Sequence, residues 1–338
     1  FVSIQAANTG LRWETTREYN FGVDFSLFNN NIVGSFDYFT RETSDILTTP
    51  PIASAIGEGQ QRVLNGATTE TNGWELALGY TKRFDNDLKL TISTNFGAFR
   101  DKITQLPDDV VSSFPGTIQN SIIGQSQFSI FGYRSAGLFQ SQEDVDSSPS
   151  QVGARPGGIK FEDLNGDGVI GSDDRDFIGN TLPDLEYGIR VDLNYKNFDF
   201  SVFGSGVAGR IGLDPYIFWN NFASGRENSG LGTLNAWTPD NTNTDIPSLS
   251  LAFNDQRTSD YLYRNNSYFK IRNLQFGYTL PEEMTEKWAG MTQMRVYFQG
   301  ENLLWFTPEG YIGADPERTN VDNIPIPTTF SLGLNIKF

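Results

Sequence analysis

Alternation of apolar and polar residues over long stretches is the feature that most constrains this chain. Within Asp184–Phe203, apolar side chains stand at every second position from Tyr187 to Tyr195, with small, polar or charged residues between them. The pattern breaks at Lys196-Asn197 and then resumes, which predicts a hairpin with one apolar and one polar face. Similar alternation predicts about nine strands, in segments 11–28, 32–47, 71–84, 88–103, the hairpin 184–203, 266–280, 294–304 and 328–338.

The connections between these strands fall into two length classes. Short ones lie near residues 29, 85, 196 and 282, and long ones at about 48–70, 104–183, 208–262 and 305–327. Outer-membrane barrels alternate short periplasmic turns with long extracellular loops, and a 14% aromatic content suits their interfacial girdles. The sequence therefore predicts an all-β fold, an antiparallel transmembrane β-barrel whose C-terminus lies in the periplasm.

The number of strands bears on whether this barrel can close. Bacterial single-chain barrels have an even number of strands, whereas about nine are predicted here. An open sheet edge in lipid leaves unpaired backbone groups, which cost several kcal/mol each. We therefore expect the chain to be the C-terminal part of a larger barrel, with the missing strands N-terminal to it.

The composition argues against several functional classes. Cysteine and histidine are both absent, which removes thiol chemistry, the commonest general base and the commonest zinc ligand. A formal charge of −16 without clustered Lys or Arg argues against binding nucleic acid. No paired-carboxylate constellation stands out either, so the chain is predicted not to be an enzyme.

One motif carries recognisable chemistry. The stretch Asp163 to Asp174 has the spacing of a calcium-binding loop, in which oxygen ligands surround one hard cation and a glycine at the sixth position permits the turn. The expected ligands are Asp163, Asn165, Asp167, the Val169 carbonyl and Asp174. An Asp/Asn/Gly run is more simply a turn, but the number of matched positions favours a structural Ca²⁺ site in an extracellular loop.

Two further groups of residues are less specific. Five aromatic residues in or near the predicted loops are candidates for stacking on sugars, namely Trp219, Trp237, Trp305, Tyr216 and Tyr311. Packing in an aromatic girdle or within the loops explains them better. Three arginines are candidates for a barrel lumen, namely Arg134, Arg190 and Arg272. Polar lumen residues are expected in any such barrel, so these arginines identify no substrate.

Several distinct segments resemble the SusC/RagA family of TonB-dependent outer-membrane transporters. They are Ile130 to Val145, Gly157 to Phe203, YFKIRNLQFGYTLP from Tyr268 and VYFQGENLLWFT from Val296, and they occur in the family's order. The resemblance spans essentially residues 1–338 and implies the C-terminal portion of a plugged barrel of the roughly 22-stranded class. It also implies that the signal peptide, TonB box and N-terminal plug lie outside this sequence.

The same resemblance implies a function. Family members import glycan oligosaccharides or peptides across the outer membrane, driven through TonB and assisted by a SusD-like surface lipoprotein that acts as a lid. The expected partners are therefore that lipoprotein, TonB, the substrate and outer-membrane lipid. Two alternatives remain open at this point: a secreted, calcium-stabilised glycan-binding β-protein without transport activity, and a passive porin.

Overall fold

A computed structural model describes most of the chain, in ranges 8–49, 63–111, 114–117, 120–214, 216–222, 229–251, 253–285, 291–311, 313, 315–317 and 326–338. Within these ranges the chain forms fifteen strands and four short α-helices. The strands are β1 Thr15–Leu27, β2 Ile32–Thr48, β3 Leu64–Arg83, β4 Leu88–Gln105, β5 Ser129–Tyr133, β6 Ser135–Leu138, β7 Ile159–Phe161, β8 Arg175–Asn180, β9 Leu185–Tyr195, β10 Phe198–Ala208, β11 Ile211–Leu213, β12 Tyr263–Asn265, β13 Tyr268–Thr279, β14 Gln293–Phe306 and β15 Thr329–Lys337. The helices are α1 Asp108–Val111, α2 Gln142–Ser147, α3 Tyr216–Asn221 and α4 Glu282–Thr285.

Nine of the strands form one antiparallel sheet, in the order β1-β2-β3-β4-β9-β10-β13-β14-β15. Strands that are consecutive within this sheet are neighbours throughout, so it is a simple meander. The predicted number of nine strands is confirmed. Tight turns connect β1 to β2 at Asn29 and β9 to β10 at Lys196, and both residues have positive φ. Such left-handed positions suit the two-residue and short polar turns that the sequence indicates.

One face of the sheet is apolar from edge to edge. Residues directly opposite each other in an antiparallel pair share a face, and the registers align one such row across all nine strands. This row comprises Leu27, Ile32, Tyr80, Ile92, Val191, Val202, Leu274, Gly300 and Phe330. We call this side the apolar face and the opposite side the polar face.

The apolar face is exposed rather than packed on a second layer. Leu332 keeps 82% of its surface accessible and Phe21 keeps 71%. On the polar face, Arg295 donates to Asp199 at 2.9 Å and Gln275 donates to Gln299 at 3.1 Å. Contiguous exposed apolar surface of this extent marks an interaction with membrane or protein.

The structure differs from the sequence prediction at the loop ends of some strands. Strand β3 begins at Leu64, seven residues before the predicted start, because its first residues pair with the end of β2 and bury Ala67. The predicted loop at 48–70 is therefore strand from residue 64, and its residues 50–62 lie outside the described ranges. No helix among the described residues is long and apolar enough to cross a membrane.

The long segment 104–183 also differs in detail. Within Phe128–Val145 the sequence by itself indicates a short strand pair, followed by a helical turn at Ser141 to Val145. The helix is confirmed as α2, where the Ser141 hydroxyl accepts a hydrogen bond from the Asp144 amide at 3.1 Å. The predicted pairing is wrong, because β5 pairs with β8 and β6 with β7. Both partners lie far along the chain, beyond the reach of a local pattern.

Candidate functional site

The two longest connections fold together into one unit, called here the loop body, formed by the described residues of 106–184 and 209–267. Its core draws side chains from both connections: Leu138, Ile159, Phe161, Ile170, Ile217, Phe222, Trp237, Tyr261 and Leu262. Phe161 and Ile159 are almost completely inaccessible to solvent. These connections therefore form a packed structure beside the sheet, with a hydrophobic core of its own.

A buried ion pair ties the two connections to each other. Arg155 Nη2 lies 2.5 Å from Asp255 Oδ2, and Asp255 is only 3% exposed. The other oxygen of Asp255 accepts a hydrogen bond from the Ile159 amide at 2.9 Å. Arg155 and Asp255 are 100 residues apart in sequence, so local patterns could not reveal their contact.

The three candidate lumen arginines occupy different environments. Arg190 lies on the polar face of the sheet and pairs with Asp192 at 2.8 Å. Arg134 instead belongs to the loop body, where its guanidinium pairs with Asp176 at 2.5 Å. Burial tends to raise the pKa of Asp176, but hydrogen bonds, above all from Arg134, hold it below the ordinary value. Arg272 joins the cluster described below.

The candidate aromatic residues do not form one stacking platform. Trp237 is buried in the core of the loop body, and its indole N–H donates to Gln140 Oε1 at 3.2 Å. Trp305, by contrast, is 43% exposed near the end of β14. Loop packing, the interpretation that the sequence favoured, therefore accounts for Trp237.

The acidic loop at residues 163–174 closes on its own backbone amides. Asp163 accepts hydrogen bonds from Gly166 N at 2.7 Å and from Gly168 N at 2.8 Å. Both glycines have positive φ, 74° and 82°, a conformation that favours glycine. The next two predicted ligands form similar turns, Asn165 with the Asp167 amide and Asp167 with the Val169 amide.

Asp174 lies at the base of this loop and is fully buried. Its Oδ1 accepts hydrogen bonds from Leu164 N at 3.0 Å and Asn165 N at 3.3 Å, and its Oδ2 accepts one from Gly171 N at 2.6 Å. The loop is anchored to the loop body by Ile170, whose side chain is in the core. Asp174 thus holds the two ends of the loop together.

The residues of the acidic loop fit calcium in type, since they are hard oxygen donors. Their arrangement fits less completely. Backbone amides engage both oxygens of Asp163 and of Asp174, and among the described residues no group of three or more His, Cys, Asp or Glu converges as a metal site. The calcium site stays a prediction.

A second charged cluster, called here the Lys270 clamp, fastens the last long connection to the sheet. Lys270 stands opposite Ser205 on the polar face and is 1% exposed. Its ammonium lies 3.1 Å from Asp315 Oδ2 and 2.9 Å from Glu317 Oε2. Arg272 lies where the pairing of β13 with both β10 and β14 shifts register. Its guanidinium donates two hydrogen bonds to the carboxylate of Glu317.

The clamp strongly favours the ionised form of Glu317. Burial by itself would raise the pKa of Glu317, but hydrogen bonds from Arg272, Lys270 and Tyr268 lower it to about 2. Arg210 adds a contact to the same segment by donating to the Pro316 carbonyl. The segment 315–317 is therefore held against the polar face of the sheet by several hydrogen bonds between charged groups.

Comparison with known proteins gives a consistent result. No protein-family model matches the chain. The TonB-dependent receptor P3 of Formosa agariphila is 36% identical over 362 residues, which take in 100% of this chain and 35% of the relative. The TonB-dependent receptor SusC of Bacteroides thetaiotaomicron is 29% identical over 349 residues, with 99% of this chain and 33% of the relative aligned.

A solved structure extends the match to three dimensions. The RagAB peptide transporter superposes with a TM-score of 0.80 and 25% identity, covering 98% of this chain and 36% of the matched chain. The chain belongs to the SusC/RagA-like TonB-dependent receptors. Its nine-stranded sheet accordingly corresponds to part of the wall of an outer-membrane β-barrel, which confirms the predicted fold class.

The match also defines how much of such a receptor is present. The chain spans about a third of the length of these SusC/RagA-like relatives. Their names are those of receptors and transporters, which agrees with the prediction that the chain is not an enzyme.

Proposed function

We propose that the SusC/RagA-like protein carrying this chain imports oligosaccharides or peptides across the bacterial outer membrane, driven through TonB. The observation that supports this most is the match to SusC and RagAB along essentially the whole chain. The continuous apolar face, opposite a polar face with its own ion pairs, suits a barrel wall between lipid and an aqueous lumen. Contact with TonB would belong to the part of the protein outside this chain.

In this proposal the long connections lie outside the cell and the C-terminus lies in the periplasm. The loop body then forms part of the outer chamber, and a SusD-like surface lipoprotein covers it as a lid. The matched RagAB structure is that of a peptide transporter. Both substrate classes are retained for this chain, because none of the contacts described above selects between them.

The proposal is tested first by isolating the protein from its membrane. We expect a denatured mass well above the 37.7 kDa of this chain and a co-purifying surface lipoprotein. A mass of 37.7 kDa with no partner and no need for detergent would contradict the proposal. That outcome would favour the secreted, calcium-stabilised binding protein instead.

Uptake measurements separate active import from passive diffusion. Cells would be given labelled oligosaccharides and labelled peptides, with and without an uncoupler that collapses the proton gradient. Active import predicts that accumulation of one class stops on uncoupling and on loss of TonB. Accumulation that is unaffected by both treatments would indicate a passive porin.

The acidic loop adds a structural proposal, that Ca²⁺ binds through Asp163, Asn165, Asp167, the Val169 carbonyl and Asp174. The ion would neutralise carboxylates that otherwise repel one another in one loop. It would thereby stiffen the part of the loop body that Ile170 anchors. No catalytic role is implied.

We expect Ca²⁺ to raise the thermal stability of the loop body. A ligand that binds only the folded state stabilises it by about 2.7 kcal/mol at a hundred times its Kd. Asp163→Asn should abolish this effect, whereas Asp173→Asn should leave it intact, because Asp173 is exposed in the same loop but is not a predicted ligand. Calorimetry in detergent with Ca²⁺ or a chelator measures the difference; equal melting of the wild type in both would exclude the site.

A further inference from the structure

A cavity of about 310 Å³ lies between the loop body and the connection that follows β14. Its charged lining residues are three acids, Asp214, Asp245 and Glu309, and one base, Arg264. We call it the Asp214 cavity. Asp245 and Arg264 also line a neighbouring cavity of about 570 Å³, so the two spaces adjoin.

The carboxylate of Asp214 is the unusual element of this lining. The residue is 2% exposed, and its Oδ1 accepts a hydrogen bond from the Tyr216 amide at 3.0 Å. Its Oδ2 is buried and has no hydrogen-bond donor among the described residues. A buried carboxylate oxygen without a hydrogen-bond partner destabilises the folded state, so a donor group on a ligand in the cavity would stabilise it.

The charges around the cavity indicate the sign of that ligand. Three carboxylates, from Asp214, Asp245 and Glu309, face one guanidinium, that of Arg264. Arg264 is itself engaged over the ring of Tyr261, with its Cζ 5.1 Å from the ring centroid. The lining therefore has an excess of negative charge, which favours a cation in a partly desolvated space.

The spacing of the carboxylates distinguishes between kinds of cation. Among the described residues no group of three or more acidic or histidine side chains converges closely enough to hold a metal ion. The cavity is also much larger than a single bare ion would fill. One water molecule takes up about 30 Å³ of liquid, so the cavity has room for a ligand of several heavy atoms. An organic cation, which carries its charge on a donor group and fills the remaining space with carbon, suits both observations.

We propose that the Asp214 cavity is a binding site for a small organic cation carrying a primary ammonium group. One N–H of the ammonium donates to Asp214 Oδ2, and Asp245 and Glu309 supply further negative charge near the opening. The carbon body of the ligand lies against Ile217 and Tyr311, which also line the cavity. This site is independent of the proposed transport activity and of its substrate.

The test uses the intact detergent-solubilised protein and 1,4-diaminobutane as the probe, with 1,4-butanediol as the neutral analogue of nearly the same shape. Saturation-transfer NMR should detect saturable binding of the diamine and little binding of the diol. Asp214→Asn keeps the acceptor for the Tyr216 amide but removes the charge. It should weaken diamine binding by about ten- to a hundred-fold, since a hydrogen bond to a charged group is worth about 1.5–3 kcal/mol.

Two further variants keep the test decisive if Asp214→Asn folds poorly. Glu309→Gln changes an exposed acid at the cavity and should weaken binding while leaving the fold intact. Asp240→Asn changes an exposed acid that does not line the cavity and should have no effect. Equal binding of diol and diamine, or unchanged affinity in both cavity variants, would overturn the proposal and leave the cavity occupied by water alone.

Discussion

Leu332→Arg is expected to destabilise the barrel by roughly 2–4 kcal/mol, the cost of arginine on a lipid-facing position near the bilayer midplane. Leu332 lies near the middle of β15, stands opposite Phe298 and is 82% exposed on the apolar face. In lipid the guanidinium must lose hydration or distort the bilayer around it. The measurement is equilibrium urea unfolding of the intact protein in lipid vesicles.

Ser331→Arg is the matched control for this substitution. Ser331 is the neighbour of Leu332 in the same strand but stands opposite Gln299 on the polar face. A guanidinium there joins the polar face, which already carries Arg190 and Arg295. We expect a change of less than about 1 kcal/mol, as is usual for surface substitutions away from special features.

The pair of variants also separates a membrane barrel from a secreted β-protein. In a soluble protein, Leu332→Arg would remove an exposed apolar side chain at no cost and would improve solubility. Equal stability of the two variants, or a Leu332→Arg protein that needs no detergent, would therefore contradict the lipid-facing assignment of the apolar face.

The main sheet could be predicted from sequence because its signal is local. Each strand alternates with a period of two, and the same residues decide which face meets lipid. Strand ends near the loops were less predictable, as at Leu64–Glu70 of β3, where the pattern does not alternate apolar and polar residues. There, pairing with β2 rather than the pattern of the segment itself determines the strand.

The loop body could not be derived in the same way. Its core and its Arg155–Asp255 pair join residues that are about a hundred positions apart, and no local periodicity records such contacts. The Lys270 clamp did leave a weak signal. Two basic residues at i and i+2 of one strand, Lys270 and Arg272, match two acidic residues with the same spacing, Asp315 and Glu317. The sequence contains other acidic residues, however, and spacing alone cannot choose among them.

Lys270→Met is expected to release the segment 315–317 from the sheet. The substitution leaves the carboxylate of Asp315, 3% exposed, with only the Glu317 amide as a hydrogen-bond donor at 2.9 Å among the described residues. Breaking a buried ion pair by removing one partner costs about 3–5 kcal/mol. The segment can escape this cost by moving into water, so the effect should appear as local opening rather than as unfolding of the barrel.

Hydrogen exchange followed by mass spectrometry measures this opening. We expect faster exchange in peptides that contain Tyr268–Arg272 and Asp315–Glu317, with unchanged exchange in β1 and β2. Lys337→Met removes an exposed lysine and should change neither region. The double variant Lys270→Met/Asp315→Leu should recover much of the protection, because replacing both members of a buried ion pair with apolar residues is often neutral. Unaltered exchange in Lys270→Met would show that the clamp does not hold the segment.

The acid sensitivity of the clamp follows from Glu317. Its pKa is about 2 in the folded protein, against an ordinary value of 4.5, because Arg272, Lys270 and Tyr268 donate to its carboxylate against the opposing effect of burial. A folded-state pKa below the unfolded value gives stability that is complete above about pH 4.5 and is lost as the pH falls through about 2. Protection of the segment 315–317 should therefore fall across that window in the wild type. In Glu317→Gln it should be lower already at neutral pH and depend less on pH. An identical pH profile in the two proteins would remove Glu317 as the cause.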